Sequence, residues 1–388
     1  MLKSWAGRVD PQVVFFPIFV FFVGAGFILR PTPVWAMVYY AGVLPAFFAF
    51  LWARRGTLSL CDPGLVLSLA MMVWFGLTLV WGIDQTPKRV AKFVFSIPVN
   101  FSFLAVGWVF FTTAEERFLT RLYRVIPIVA VVNAVISIVI FFANGAGGRL
   151  HGWAETRHPI LGADVMCVAL VFCLHGWYSE PDRRWRTACL LAGLTCAGFV
   201  LLTGSRGPFL AMVAAVVCYL IQVRPRAVVV LAAVAGILAV GVAVWVPEVV
   251  AFATTNLDRD SYRLMIWNET LDLVRLRPWL GYGAANVHEF VEPSITFPHS
   301  IYMSSLYYAG SIGLGLVLGF FGFFGWRAWF VEDRELRAFL VALMLVPAVA
   351  GLTDIGQFIK SPSEVWYILW LPVVTVLGLS RRTRVGKI

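Results

Sequence analysis

Twelve apolar runs, separated by short charged or glycine- and proline-rich punctuation, constrain this chain more than any single motif does. They fall roughly at 13–29, 34–53, 64–82, 93–112, 125–143, 160–178, 187–203, 208–222, 227–246, 299–326, 337–353 and 365–380. A helix needs about 17–25 mostly apolar residues to cross the hydrocarbon layer of a bilayer. None of the runs alternates strictly between apolar and polar residues, so helical spans are expected and barrel strands are not. A soluble domain would not bury a chain that is 60% hydrophobic and only 13% charged over 388 residues. The expected fold is an all-α polytopic membrane protein of about 12 transmembrane helices, with residues 1–388 forming a single integral membrane domain. The first run lacks a small-residue cleavage site and reads as an ordinary first span, not a signal peptide.

Lysine and arginine set the expected orientation, because cytoplasmic loops retain them. Nineteen of the 31 basic residues lie on the side of the termini, including Arg54, the "RRWR" at 183–186, Arg327 and the "RRTRVGKI" tail. Both termini are therefore expected in the cytoplasm. The net charge of +10 is mostly this topology signal, and it gives no reason to read nucleic-acid binding into the chain. The other 12 basic residues lie on the outer side: Arg30, Lys88, Arg89, Lys92, Arg149, Arg157, Arg206, Arg259, Arg263, Arg275, Arg277 and Lys360. Guanidinium forks hold phosphate oxygens in bidentate fashion, so an anionic substrate on that face would account for them. Neutralisation of neighbouring Asp and Glu is the plainer account of several.

The loop at 247–298 is far longer than the rest and should face outward. Within it an amphipathic helix is expected from Asp260, a capping residue, to about Leu276, stopped by Pro278. Leu264, Trp267, Leu271 and Val274 would line its packed face, and Arg263 would sit at its positive N-terminus, suited to an anion. The Asp258-Arg259-Asp260 stretch resembles an Asp-x-Asp metal pair, although capping and charge balance explain it better. "TGSRG" at 203–207 holds Arg206 in a tight turn between two spans, where it could clamp a phosphate or simply reach the interface. The 147–166 stretch carries Arg149, His151, Arg157, His158 and Asp164. It lacks the carboxylate cluster that would make its histidines a metal site, and Asp164 is expected to be solvated. The six cysteines lie in or beside spans without a metal-like spacing and read as packing residues.

His299 opens the tenth run, after Pro298 and a charged stretch. An ionisable group at the lip of a membrane helix is a functional candidate by default. It is expected in the first turn, where a neutral imidazole could take the proton from an attacking hydroxyl. Gly310, Gly313, Gly315, Gly319 and Gly322 would give that helix small-residue packing faces.

"HSIYMSSLYYAGSIG" fits His-[Asn/Ser/Gln]-x9-Gly-x-x-Gly through His299, Ser300, Gly310 and Gly313. It resembles the signature of the O-antigen ligase family and its relatives, the O-oligosaccharyltransferases and repeat-unit polymerases. "TGSRG", "YRLMIW", "RPWLGYG" at 277–283 and "GRLHG…HP" at 148–159 extend the resemblance over most of the chain. In "HPI" the residue after the proline is Ile160, where relatives often carry Asn. The resemblance implies a GT-C-type, inverting, metal-independent glycosyltransferase without cofactors, active at the periplasmic face of the bacterial inner membrane in lipopolysaccharide biosynthesis. It would move a glycan from undecaprenyl pyrophosphate to a hydroxyl of lipid A–core or another glycan acceptor. By the same implication His299, Arg206 and Arg263 are the catalytic candidates. Arg149, Arg157, His158, Arg89, Lys88, Trp267, Ser300 and Tyr302 are the substrate-binding ones. The short tail and single large loop favour a ligase, with an O-antigen or exopolysaccharide repeat-unit polymerase as the alternative. A transporter or flippase of an anionic lipid is less favoured, because the ionisable residues crowd at one rim and no inverted repeat is evident.

Overall fold

The computed structural model describes residues 11–54, 61–146, 148–226, 262–291 and 295–386. Among them the chain is helical throughout, and each of the eleven apolar runs that falls on described residues forms one helix. They are α1 (Pro11–Ala25), α2 (Thr32–Ala53, with a π turn at Val38–Val43), α3 (Pro63–Leu77) and α4 (Pro87–Thr113). Next come α5 (Glu116–Ala143), α6 (Pro159–Ser179), α7 (Arg183–Leu202) and α8 (Arg206–Val223). The long loop contributes α9 (Arg263–Leu276), and α10 (Ile301–Trp329) and α11 (Arg334–Thr353) follow it. A π turn at Trp366–Trp370 runs into α12 (Leu371–Arg384). The ninth run, at 227–246, and the Asp258-Arg259-Asp260 stretch with its expected cap lie outside the described residues.

Eight of these helices have the length and hydropathy to cross a membrane, so the protein is polytopic. Helices α1 and α3 are shorter, at 15 residues each. Helix α3 stops early because the chain turns after Leu77 to receive the long loop. There the Thr78 hydroxyl accepts from the amide of Ala284, and the amide of Ile83 donates to the carbonyl of Tyr282. Helices α7 and α8 extend beyond their apolar runs, to 20 and 18 residues.

The core is aromatic. Phe22, Trp35, Tyr39, Phe103 and Trp366 pack ring to ring, with Phe103 and Trp366 centroids 4.4 Å apart. Residues 366–379 are buried without interruption, so the last helix is enclosed by the others and not lipid-facing. Helix α8 lies along α11, and α6 along α7.

Helix α10 departs most from expectation. Its N-cap is Ser300, whose hydroxyl accepts from the amide of Met303, and His299 stands outside the helix with φ 50°. The helix breaks at Gly310 (φ 67°, ψ −168°), a region in which a side chain is strained. The break leaves carbonyls for the 278–283 turn: the amides of Tyr282 and Gly283 donate to Tyr307 and Tyr308 at 2.9 Å each. A Cβ at Gly310 would overlap the Trp279 carbonyl. Gly310 is thus where "RPWLGYG" docks. At Gly315, Gly319 and Gly322 a Cβ would meet nothing within 4 Å among the described residues, so these glycines do not make the expected packing face.

Candidate active site

The C-terminal end of α11 gathers the site. The Ser300 hydroxyl donates to the carbonyl of Gly351 (3.1 Å), and Ile301 packs on the same glycine, which fixes the start of α10 against α11. Two residues on, Thr353 lies so close to Gly207 that a Cβ there would overlap its hydroxyl. This seats the N-terminus of α8, and with it Arg206, against the same point. Asp354 closes α11 as its C-cap residue, 4% exposed. Its Oδ1 accepts from the amide of Ile355 (3.0 Å) and lies 3.9 Å from Nδ1 of His299. The other carboxylate oxygen has no hydrogen-bond partner among the described residues.

Asp354 was not among the residues singled out from sequence. One signal was available, an ionisable residue at the end of an apolar run, which is the signal that picked out His299. A lone Asp after Thr at a helix end also reads as an ordinary solvated cap, so the signal is weak.

His299 is half-buried, its imidazole packed at a tilt against Phe297 with ring centroids 4.1 Å apart. The indole of Trp267 donates to the carbonyl of Pro298 (3.0 Å), so α9 holds the backbone that presents the histidine. Arg263 is the first residue of α9, preceded by Tyr262 at φ 50°. The stripe of α9 packed on the bundle is Ile266, Thr270 and Val274, with Trp267 beside it. Leu264 and Leu271 are exposed, so the expected face is rotated. Thr270 can join the buried stripe because its hydroxyl is satisfied by the carbonyl of Ile266 (2.6 Å).

Arg206 is exposed at the first position of α8, after Gly204 at φ 58°. Ser205 occupies the N-cap without capping, because its hydroxyl donates to the carbonyl of Pro159 (3.0 Å) and accepts from Arg149 (2.6 Å). Arg149 also donates to the carbonyl of Thr203 (2.9 Å) and so braces the turn that carries Arg206.

The 150–158 loop is tied down by Asn133, whose amide donates to Phe27 and Trp153 and whose oxygen accepts from Thr156. His158 ends the loop as N-cap of α6, Nδ1 accepting from the amide of Leu161 (3.3 Å). Burial lowers its pKa below the ordinary histidine value, against the opposing pull of Asp354 and Glu364, with Arg149 and His151 adding to the fall. Arg157 is exposed beside it. Burial pushes the Glu155 carboxyl up to about 7. Asp164, expected to be solvated, is fully buried, since the loop covers the first turns of α6. Neither carboxylate oxygen finds a hydrogen-bond partner among the described residues, and Asp164 lies within electrostatic reach of Asp354 and Arg263.

Several candidates serve the fold. Ser300 is the cap just described, and the Tyr302 hydroxyl donates to the carbonyl of Ala348 (2.8 Å), bracing α10 on α11. Of the outer-side cations, Arg30 lies over Trp153, Arg275 pairs with Asp272 (2.6 Å), and Arg277 lies over Tyr282. Lys88 is exposed in the first turn of α4, and Arg89 beside it donates to the carbonyl of Asn286 (3.4 Å). Among the described residues no group of three or more His, Cys, Asp or Glu side chains is arranged to hold a metal ion.

The family model described as O-antigen ligase matches residues 191–318, a segment that contains Arg206, Arg263, Trp267, His299, Ser300 and Tyr302. An O-antigen ligase of Pseudomonas aeruginosa is 28% identical over 258 residues, a match covering 64% of this chain and 62% of that protein.

Proposed function

We propose that this chain, which is similar to O-antigen ligases, is a glycosyltransferase that moves a glycan from undecaprenyl pyrophosphate to a hydroxyl of lipid A–core. The reading sets it in the bacterial inner membrane, with its termini in the cytoplasm and His299 at the periplasmic face. The observation that carries the reading is the meeting of two segments, the Arg206 turn and the His299–Ser300 start of α10, at the end of α11. The Arg206 turn packs at Thr353, the α10 cap bonds Gly351, and His299 faces Asp354.

In this mechanism a neutral His299 accepts the proton of the attacking acceptor hydroxyl as the new glycosidic bond forms. Asp354 is a positioning residue: at 3.9 Å it stands just beyond hydrogen-bond reach of Nδ1. A small closure on substrate binding would let it orient the ring and stabilise the imidazolium. Arg206 and Arg263 hold the pyrophosphate and neutralise the charge that grows on it as the anomeric bond breaks, so the leaving group needs no separate acid. Attack from the face opposite the pyrophosphate inverts the anomeric centre. Trp267 acts through the backbone of Pro298, and Arg149 through the turn that carries Arg206.

The test is the glycolipid pattern of the native host carrying His299→Ala at matched protein level. Core without polymer, and polymer stranded on its lipid carrier, is the expected result. Core bearing a single repeat unit would point to a repeat-unit polymerase, and an unchanged pattern would remove His299 from the mechanism.

A further inference from the structure

A second cationic site adjoins His299. Between the start of α4 and the segment after α11 lies a cavity of about 240 Å³, lined by Arg89, Lys92, Phe297, Gln357 and Lys360 among others. Three of its lining residues are cations and none is an acid. Among the described residues, no carboxylate lies within the 4.0 Å of an ion pair with Arg89, Lys92 or Lys360. Lys360 reaches Glu155 only as a longer-range electrostatic partner.

The cations stand on fixed supports. The Lys360 carbonyl accepts from the buried side chains of Asn100 (2.8 Å) and Trp366 (3.2 Å), which pins the backbone from which its ammonium extends. Arg89 leans on the carbonyl of Asn286, itself buried and bonded to Tyr307 (2.7 Å) and to the carbonyl of Ile83 (2.8 Å). Arg89 and Lys92 also occupy the first two turns of a 27-residue helix, whose positive end adds to theirs. Like charges held together, with no carboxylate in ion-pair range among the described residues, raise the free energy of the empty site, and an anion relieves it.

Phe297 gives the cavity its relation to the reaction, because it lines the cavity and its ring packs, tilted, against that of His299. Arg206 enters from elsewhere, through the contact of α8 with Thr353. The cavity is smaller than the ~300 Å³ at which drug-sized ligand sites begin, so it suits one charged group with part of the ring that bears it. A phosphate ester, at about −1.5 to −2 charges, matches three cations better than a carboxylate does.

We propose that this cavity binds a phosphate monoester on the acceptor glycan and thereby aligns the acceptor hydroxyl with His299. The inference rests on the reading of the protein as a glycan transferase and adds to it the chemistry of its acceptor.

The test uses the full chain in detergent, with a phosphorylated core oligosaccharide and the same acceptor after phosphatase treatment. The variant replaces Arg89, Lys92 and Lys360 by Gln together, and the three single variants control for folding through their melting midpoints. The native protein should bind the phosphorylated acceptor at least tenfold more tightly than the dephosphorylated one, and the triple variant should bind both alike. In turnover, the acceptor KM of the triple variant should rise at least tenfold on the phosphorylated substrate, with the donor KM unchanged. Equal loss on both acceptors, a raised donor KM, inhibition of the native protein by inorganic phosphate alone at equal affinity, or no change would each overturn the proposal. Phosphate-dependent binding without any transfer would leave the site standing and overturn the transferase reading instead.

Discussion

At the end of the bundle away from His299, Arg327 and Asp62 are almost free of solvent and fully bonded. The guanidinium donates to both carboxylate oxygens (2.5 and 2.9 Å), to Ser380 and to the carbonyl of Leu377, while Asp62 also caps α3 through the amide of Gly64. At the His299 end Asp164 and Asp354 are equally buried, yet three of their four carboxylate oxygens lack a hydrogen-bond partner among the described residues. Buried charge with every bond made holds helices together. Buried carboxylates without hydrogen-bond partners cost stability, and under the proposed function these two lie at the end that takes substrate.

The sharpest way to break this comparison is to remove one group from each end and read stability and transfer separately. His299→Ala should lower transfer by about 10²- to 10⁴-fold with a melting midpoint close to native. A midpoint that falls as far as that of an Arg327 variant would erase the distinction. Arg327→Leu should destabilise the protein by about 3–5 kcal/mol, because it strands Asp62 in the interior, and Asp62→Leu in the same chain should recover most of that loss. Denaturant or thermal unfolding in detergent reads both.

Glu155 tests whether the open end carries a pH-dependent cost. Its carboxyl is ordinary at 4.5 when unfolded and about 7 when folded, so the native state holds the proton more tightly. Stability therefore falls as pH rises from 4.5 to about 7, and the full cost is present above that window. Glu155→Gln should match the native protein below pH 4.5 and exceed it by about 2–3 kcal/mol above pH 7, seen as a flattened midpoint-versus-pH curve. The smallest effect is expected from Asp354→Asn, a loss of about tenfold in kcat with the donor KM unchanged. In the background of His299→Ala the same change should cost nothing further, since both act on one proton. Additive losses would remove Asp354 from the imidazole.

Much of this was legible beforehand. Apolar run length located the helices, and the rule that an ionisable residue at a membrane lip is costly found His299. What stayed hidden depends on contacts between distant segments. The 351–354 end of α11 looked like any helix terminus, and only packing brings Gly207, Ser300 and His299 onto it. The packed face of α9 was misread because leucine outranks threonine on any hydrophobic scale, whereas a threonine that bonds its own helix can be buried cheaply. The bond of the Tyr302 hydroxyl to the carbonyl of Ala348 stayed hidden because its partner lies 46 residues away on α11.

The position of that hub has a consequence for protein engineering. Residues 191–318, the family-matched segment, hold both arginines and the histidine, but the 351–354 stretch on which the Arg206 turn and the start of α10 meet lies some thirty residues past its end. Under the proposed function, the segment is therefore not a cassette that could be grafted between relatives to exchange glycan preference. A working chimera must carry its own 351–354, and the register of that short stretch, more than the identity of the grafted residues, should decide which hybrids are active.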